Sequence, residues 1–401
     1  MTSPHPTIPV ADWVTRADLV ADPYAVYDRL RSESPISWVP AINKVLITKF
    51  TDCIAAEQNP DVFSSHMSYA HMIVGMGGRP MIRKDGSEHA SERKAVNSAV
   101  RPRFLSEIWV ERFSANADFY LEQLASMGPD QADLNRDFAE PLAAKNLMDL
   151  LGFDKTNVQD FARWSADFMA GNANVGEDAD IWARCERTRA EAHAALDELL
   201  PRLRETPNNS VASHMIASGM PEESIRVNLF LAISGGVNEP QHVITNTVLL
   251  LTEHPEFRPD AEAPLDETAE QWNRVFHEVL RYYSPIAMVT RETHEAIDFA
   301  GVHLPVDTQI GIMLASGNRD ADAFVNPDVF DINRTETQHI GFGEGPHMCA
   351  GMWVAEAAIG RIAIPKLYQR FPDLRVDSSR PVEWEGFIFR GMSKTPVTWT
   401  D

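Results

Sequence analysis

The stretch from Met220 to Pro255 constrains this chain most. It opens on Pro221-Glu222-Glu223, where proline suits a first helical turn and two acids suit the positive end of the helix dipole, and it reaches His254-Pro255 before a clear stop. Roughly 33 helical residues, at about 1.5 Å each, would span about 50 Å, enough to cross a whole molecule of ordinary size. Gly235-Gly236 and Pro240 fall in its middle and predict a break there, an odd choice for a structural rod.

Most of the remaining sequence also reads as helix, with apolar residues at 3.6-residue spacing between turns rich in Pro, Gly and Asn. Strand-like runs are few: residues 36–48, residues 297–314 and the last fifteen residues. This segregation predicts a mainly α protein with small β-sheets, of α+β class rather than an alternating βα fold. No Gly/Ser tract, linker or fixed-period repeat divides the chain, so residues 1–401 are expected to form a single domain.

A formal charge of −22 makes nucleic acid an improbable partner, because phosphate backbones are bound by basic surfaces. The opening MTSPHPTIPVADW has neither a basic start nor an apolar core, and no run reaches about 18 uninterrupted apolar residues. A cytoplasmic protein with no membrane partner is expected. Three cysteines, Cys53, Cys185 and Cys349, are too few for a disulfide framework and suggest free thiols.

One cysteine has special neighbours. The segment His339-Ile340-Gly341-Phe342-Gly343-Glu344-Gly345-Pro346-His347-Met348-Cys349-Ala350-Gly351 runs into MWVAEAAIGRIAI, an apolar, Ala-rich stretch that should be helical. A thiol just before a helix start is favoured as thiolate, the form that binds metal. The glycines let backbone turn tightly and approach a flat ligand. A zinc site would need further Cys or His at ligand spacing, and a phosphate loop would need Lys-Ser/Thr after the glycines; neither is present.

The pattern Phe-x-x-Gly-x-x-x-Cys-x-Gly, with His two residues before the Cys, resembles the haem-binding loop of cytochromes P450. Further marks of that family appear from about Tyr24 onward. Glu278-Val279-Leu280-Arg281 matches Glu-x-x-Arg, whose i,i+3 spacing puts both charges on one helix face, and Arg334 stands where the family's third partner is expected. The resemblance makes this trio structural support behind the haem. It also assigns His89, Arg93, Arg291 and His347 to the two propionates, which need cations and hydrogen bonds when buried. Phe342 and Gly351 would contact the haem, and Cys349 would ligate the iron.

The resemblance implies the cytochrome P450 fold, with haem b between a long central helix and the cysteine loop. It implies a soluble, bacterial-type monooxygenase that activates O2 with electrons from NAD(P)H through a separate ferredoxin or flavin reductase. Arg93, Arg101, Arg103 and Arg361 are the family-position cations for docking it. In this family an acid followed by threonine handles protons; here Glu239 takes the acid's place and Pro240 stands where threonine is expected. Pro240 cannot donate to the carbonyl of Gly236, so a local bulge there is expected, with Glu239, Asn238 and Gly236 as the catalytic candidates.

Gly236-x-x-Glu239-Pro240-x-His242, Ser284-Pro285-Ile286 and Gly386-Phe387-Ile388-Phe389-Arg390-Gly391 look like the guaiacol O-demethylase branch of the family. That likeness implies hydroxylation of an aryl methoxy carbon, with Phe168, Val237, Ile286, Met288 and Phe389 around the substrate. Residues 64–74, rich in Met and aromatics, take the place of the variable substrate loop. The alternatives are a peroxide-driven peroxygenase on the same fold, a hydroxylase of a terpenoid or other apolar compound, and a non-catalytic haem sensor.

Overall fold

The computed structural model describes residues 8–400. The reading of the opening residues as lacking a leader rests partly on residues 1–7, which lie outside the described residues. The chain divides into two compact units, each assembled from separate stretches. One takes the chain up to Ser68, His277–Cys349 and Glu385–Arg390; the other takes Tyr69–Phe276, Ala350–Trp384 and the end from Gly391.

The first unit is built on a sheet of five strands. β1 (Ile36–Val39) and β2 (Lys44–Ile47) are runs buried on both faces and pair antiparallel, turning through Asn43, whose φ of 54° asparagine tolerates. β3 (Phe63–Ser64) pairs antiparallel with β4 (Val289–Thr293). β5 (Ile297–Phe299) and β6 (Val302–Leu304) form a separate hairpin whose Ala300 and Gly301 both have positive φ, as a two-residue turn of matching twist requires. β7 (Gln309–Ile312) completes the sheet, parallel to β2 and antiparallel to β4, in the order β1-β2-β7-β4-β3. Ile36, Ile47, Phe63, Ile310 and Ile312 form its core with Cys53 and Ile340, so Cys53 is a packing residue.

The second unit is helical. Its spine is the long helix Glu222–Glu253, against which the helices Glu140–Leu151 and Val158–Asn172 pack. The helix extends as its sequence predicts, but the expected break and bulge are absent. It runs without interruption through Gly235, Gly236 and Pro240. Proline removes a single backbone hydrogen bond, and the packed flanks hold the rest. Gly236 serves packing: a Cβ there would lie 2.7 Å from Cδ2 of Leu147, so the helices approach more closely than any side chain would permit. Two residues earlier in the helix, the Ser234 carbonyl accepts from Ser165 Oγ at 2.9 Å. Cys185 is buried in this unit, its sulfur against Gly171. Two short strands, β8 (Arg375–Val376) and β9 (Val397–Thr398), pair antiparallel near the chain end.

Candidate active site

In the first unit the cysteine loop is folded back on itself. Gly343 and Gly345 have φ of 71° and 66°, a region side chains other than glycine seldom occupy. The Cys349 N–H donates to the Phe342 carbonyl at 2.8 Å, and the Gly343 N–H to the Ile340 carbonyl at 2.9 Å. Asn318 Oδ1 anchors the loop by accepting from the Ile340 N–H at 2.8 Å. Cys349 is exposed, whereas Cys53 and Cys185 are buried. Phe342 and His347 are half-buried.

His339 Nδ1 accepts from the Gly341 N–H at 3.1 Å, so its ring proton sits on Nε2 and points at His277 Nδ1, 3.0 Å away. Burial, with the neighbouring charges of His277 and Arg281, pushes His339 down to about 3 and keeps the ring neutral. The pairing joins the loop to the helix Leu265–Tyr282 and was not legible in the spacing of the two histidines.

The structure brings Glu278, Arg281 and Arg334 together. Arg281 Nε and Nη2 donate to Glu278 Oε2 and Oε1, both at 2.7 Å, and Arg334 Nε reaches Oε1 at 3.0 Å. Arg281 also donates to the carbonyls of Asn318 and Pro327, each at 2.8 Å, which ties the segment before the cysteine loop to the helix.

Arg291 projects from β4 and is buried; its Nη1 donates to the Thr290 carbonyl and its Nη2 lies 3.5 Å from Glu57 Oε1. The other oxygen of Glu57 accepts the Glu344 N–H of the cysteine loop at 3.0 Å. Burial raises the Glu57 carboxyl to about 7, against the lowering effects of Arg291 and the Glu344 N–H. Nothing in the sequence singled out Glu57: it ends a short helix, Phe50–Glu57, and both partners are more than two hundred residues away.

In the second unit His89 is buried and Arg93 half-buried on the helix Gly86–Val100, one turn apart, with Arg93 Nε donating to Asn97 Oδ1 at 2.9 Å. On the long helix, Glu239 is half-buried as a residue, but its Oε2 is enclosed and lacks a hydrogen-bond partner among the described residues. Burial lifts this carboxyl to about 8. Asn238 Nδ2, Gln241 Oε1, His242 Nδ1 and both amide atoms of Asn246 are likewise enclosed without partners. Burial lowers His242 to about 4. Each such atom costs about 1–3 kcal/mol if left unpaired, so a cluster of them marks a place for water or ligand. Gln241 and Asn246 went unnoticed in the sequence and His242 entered only as a motif position; their signal was polar residues recurring in an otherwise apolar helix.

The expected substrate residues separate into two groups. Phe168 is fully buried against Phe230, with ring centroids 5.3 Å apart. Val237 is buried in the long helix, and Met288 packs its sulfur against Gly311. These three are core residues here, because neighbouring elements already cover them. Ile286 and Phe389 bridge antiparallel and stay half-buried, with Ala287 donating to the Ile388 carbonyl at 2.7 Å and Arg390 to the Pro285 carbonyl at 2.8 Å. Of the docking cations, Arg101, Arg103 and Arg361 are exposed, Arg103 paired with Glu107 and Arg361 with Glu356.

The cytochrome P450 family model matches residues 180–372. Cytochrome P450 107B1 of Saccharopolyspora erythraea is 28% identical over 395 residues, covering 92% of this chain and 93% of that protein. Vitamin D(3) 25-hydroxylase of Pseudonocardia autotrophica is 28% identical, covering 94% of each. Among solved structures, P450BioI in complex with an acyl carrier protein ligated to hexadec-9Z-enoic acid aligns with a TM-score of 0.85 at 24% identity, over 96% of this chain and 100% of that one. The fold is that of a cytochrome P450, mainly α with small β-sheets. The chain is similar to cytochromes P450 over most of its length, and it is an oxidoreductase of the monooxygenase type. Members of this family carry haem and use O2 with electrons from a redox partner. No helix among the described residues is long and apolar enough to cross a membrane.

Proposed function

We propose that Cys349 ligates the iron of haem b, and that the chain demethylates a small methoxyaromatic compound of guaiacol type. The residues fit the group: an exposed thiol on a tightly turned loop, with Arg291 and His347 in the same unit to meet its propionates. Phe342 and Gly351 are the loop residues expected against it. A thiolate-ligated haem, when bound, supplies activation of O2 and insertion of one oxygen atom into a C–H bond.

The chain's own residues supply the rest. Glu278, Arg281 and Arg334 fix the segment that precedes the loop. Glu239 holds a proton at neutral pH, since its carboxyl titrates near 8, and Asn238 offers an enclosed amide N–H on the same helix to orient water. Oxidation of Ar–O–CH3 by O2 with two electrons and two protons gives a hemiacetal and water. The hemiacetal then splits into a phenol and formaldehyde. Electrons are drawn from NAD(P)H through a separate reductase, for which Arg101, Arg103 and Arg361 are exposed cations on an otherwise acidic chain.

The observation that carries the substrate class is the bridged pair Ile286–Phe389, two apolar side chains that the protein leaves half-covered beside the buried Ala287 and Met288. A flat ring against Phe389 is the ligand such a wall suits. The relatives' names point to other substrates, so this reading stands on the chain's own residues. Its test is turnover of guaiacol with a reconstituted reductase. One formaldehyde and one phenol per NAD(P)H consumed are expected. Oxidation of guaiacol driven by hydrogen peroxide alone, with no product from the reductase system, would favour the peroxygenase. Absence of formaldehyde from every methoxyaromatic tried would overturn the substrate class.

A further inference from the structure

Glu57 stands between two parts of the first unit that the haem reading uses separately. Oε1 faces Arg291 Nη2 at 3.5 Å, and Oε2 accepts the Glu344 N–H at 3.0 Å. The loop also packs tightly on the Glu57 backbone at the next residue, where a Cβ on Gly345 would lie 2.5 Å from the Glu57 carbonyl oxygen. Gly343 presses on the carboxylate in the same way, its missing Cβ falling 3.2 Å from Oε1. Three successive loop residues therefore rest on one buried glutamate. The grip on Arg291 is looser than the 2.7 Å contacts between Arg281 and Glu278, as suits a cation that has a second anion to serve.

We propose that Glu57 is a positioning residue of the haem centre, a single carboxylate that orients Arg291 with one oxygen and the Gly343–Glu344 turn of the cysteine loop with the other, so that its charge is felt at the iron. The inference rests on the haem-thiolate reading of Cys349 and Arg291. A carboxylate is needed because both oxygens meet donors. Glutamine has one oxygen, so in Glu57→Gln the amide NH2 must face either the guanidinium or the Glu344 N–H, donor against donor.

The charged and titratable groups around Glu57 are Arg291 from β4, Glu344 from the loop and Cys53 from its own helix, a buried thiol itself pushed up by burial and then by Glu57. The Glu57 carboxyl titrates near 7, above its ordinary range, so the neutral acid predominates below that pH and the anion above it. An anion close to the haem opposes addition of an electron to ferric iron. The reduction potential should therefore fall as pH rises through about 7, and Glu57→Gln should hold it near the parent's acid-side value.

The experiment is a spectroelectrochemical titration of the haem-loaded protein and of Glu57→Gln between about pH 5.5 and 8.5, after a carbon monoxide spectrum of each. A parent without the red-shifted thiolate band would contradict the underlying haem-thiolate reading, whatever Glu57 does. With that band present, a potential that declines through neutrality in the parent and is higher and flatter in Glu57→Gln supports the proposal. Superimposable curves overturn it. Should the variant not hold haem, the parent decides: a potential level across this range overturns the proposal, and one that declines upholds it.

Discussion

At the scale of single residues, the chemistry depends on groups whose ionisation is set by burial. Glu239 is held as a neutral acid up to about pH 8 by desolvation. Product formed per reductant consumed should accordingly be level near neutrality and fall as pH rises through about 8. Glu239→Gln cannot release a proton, and product formation should slow by about a hundredfold, the lower end of what a positioned general acid contributes. Both are read by measuring phenol against NAD(P)H consumed across the pH range. An unchanged ratio and rate in the variant would remove Glu239 from proton handling. Cys349 and Glu239 were singled out as candidates from local pattern alone. Glu57 was not, because its partners Arg291 and Glu344 arrive from distant stretches and only the fold sets them beside it.

At the scale of elements, the long helix was read almost to the residue, since Pro221 and the two acids mark its start and His254-Pro255 its end. The error was in its middle, where glycine and proline were taken as breakers. Propensity is a weak prior beside tertiary packing, and Leu147 seated on Gly236 shows what the small residue permits. Strand β4 was missed for a related reason: Val289–Thr293 is short and mostly polar, and it becomes a strand through neighbours at residues 63–64 and 309–312. The buried trio gives the element-scale prediction. Glu278→Ala would leave Arg281 and Arg334 without their carboxylate and should destabilise the protein by about 3–5 kcal/mol in chemical denaturation. Arg103→Ala removes one exposed partner of an i,i+4 pair and should change stability by less than about 0.5 kcal/mol. Equal effects would contradict the assignment of the trio as the support of this region.

At the scale of the whole molecule, the class was legible and the substrate was not. Helix-rich periodicity with segregated strands pointed to the α+β class, and the cysteine loop with Glu-x-x-Arg pointed to the family, because both are fixed by local spacing. The residues that meet a substrate depend on which side chains neighbours cover, and Phe168, Val237 and Met288 turned out to be covered. The chain passes between its two compact units after Ser68, Phe276, Cys349, Trp384 and Arg390. We propose that a chain threaded this often unfolds as one domain, so thermal denaturation of the haem-loaded protein should give coincident transitions by far-ultraviolet circular dichroism and by Soret absorbance; two separated transitions would mean two independent domains. The central claim is thiolate ligation by Cys349, and the most direct measurement is the carbon monoxide difference spectrum of the reduced protein beside that of Cys349→His. A strongly red-shifted Soret band in the parent that is lost in the variant is the predicted result. A band of histidine-ligated type in the parent, unaltered by the substitution, would contradict the account.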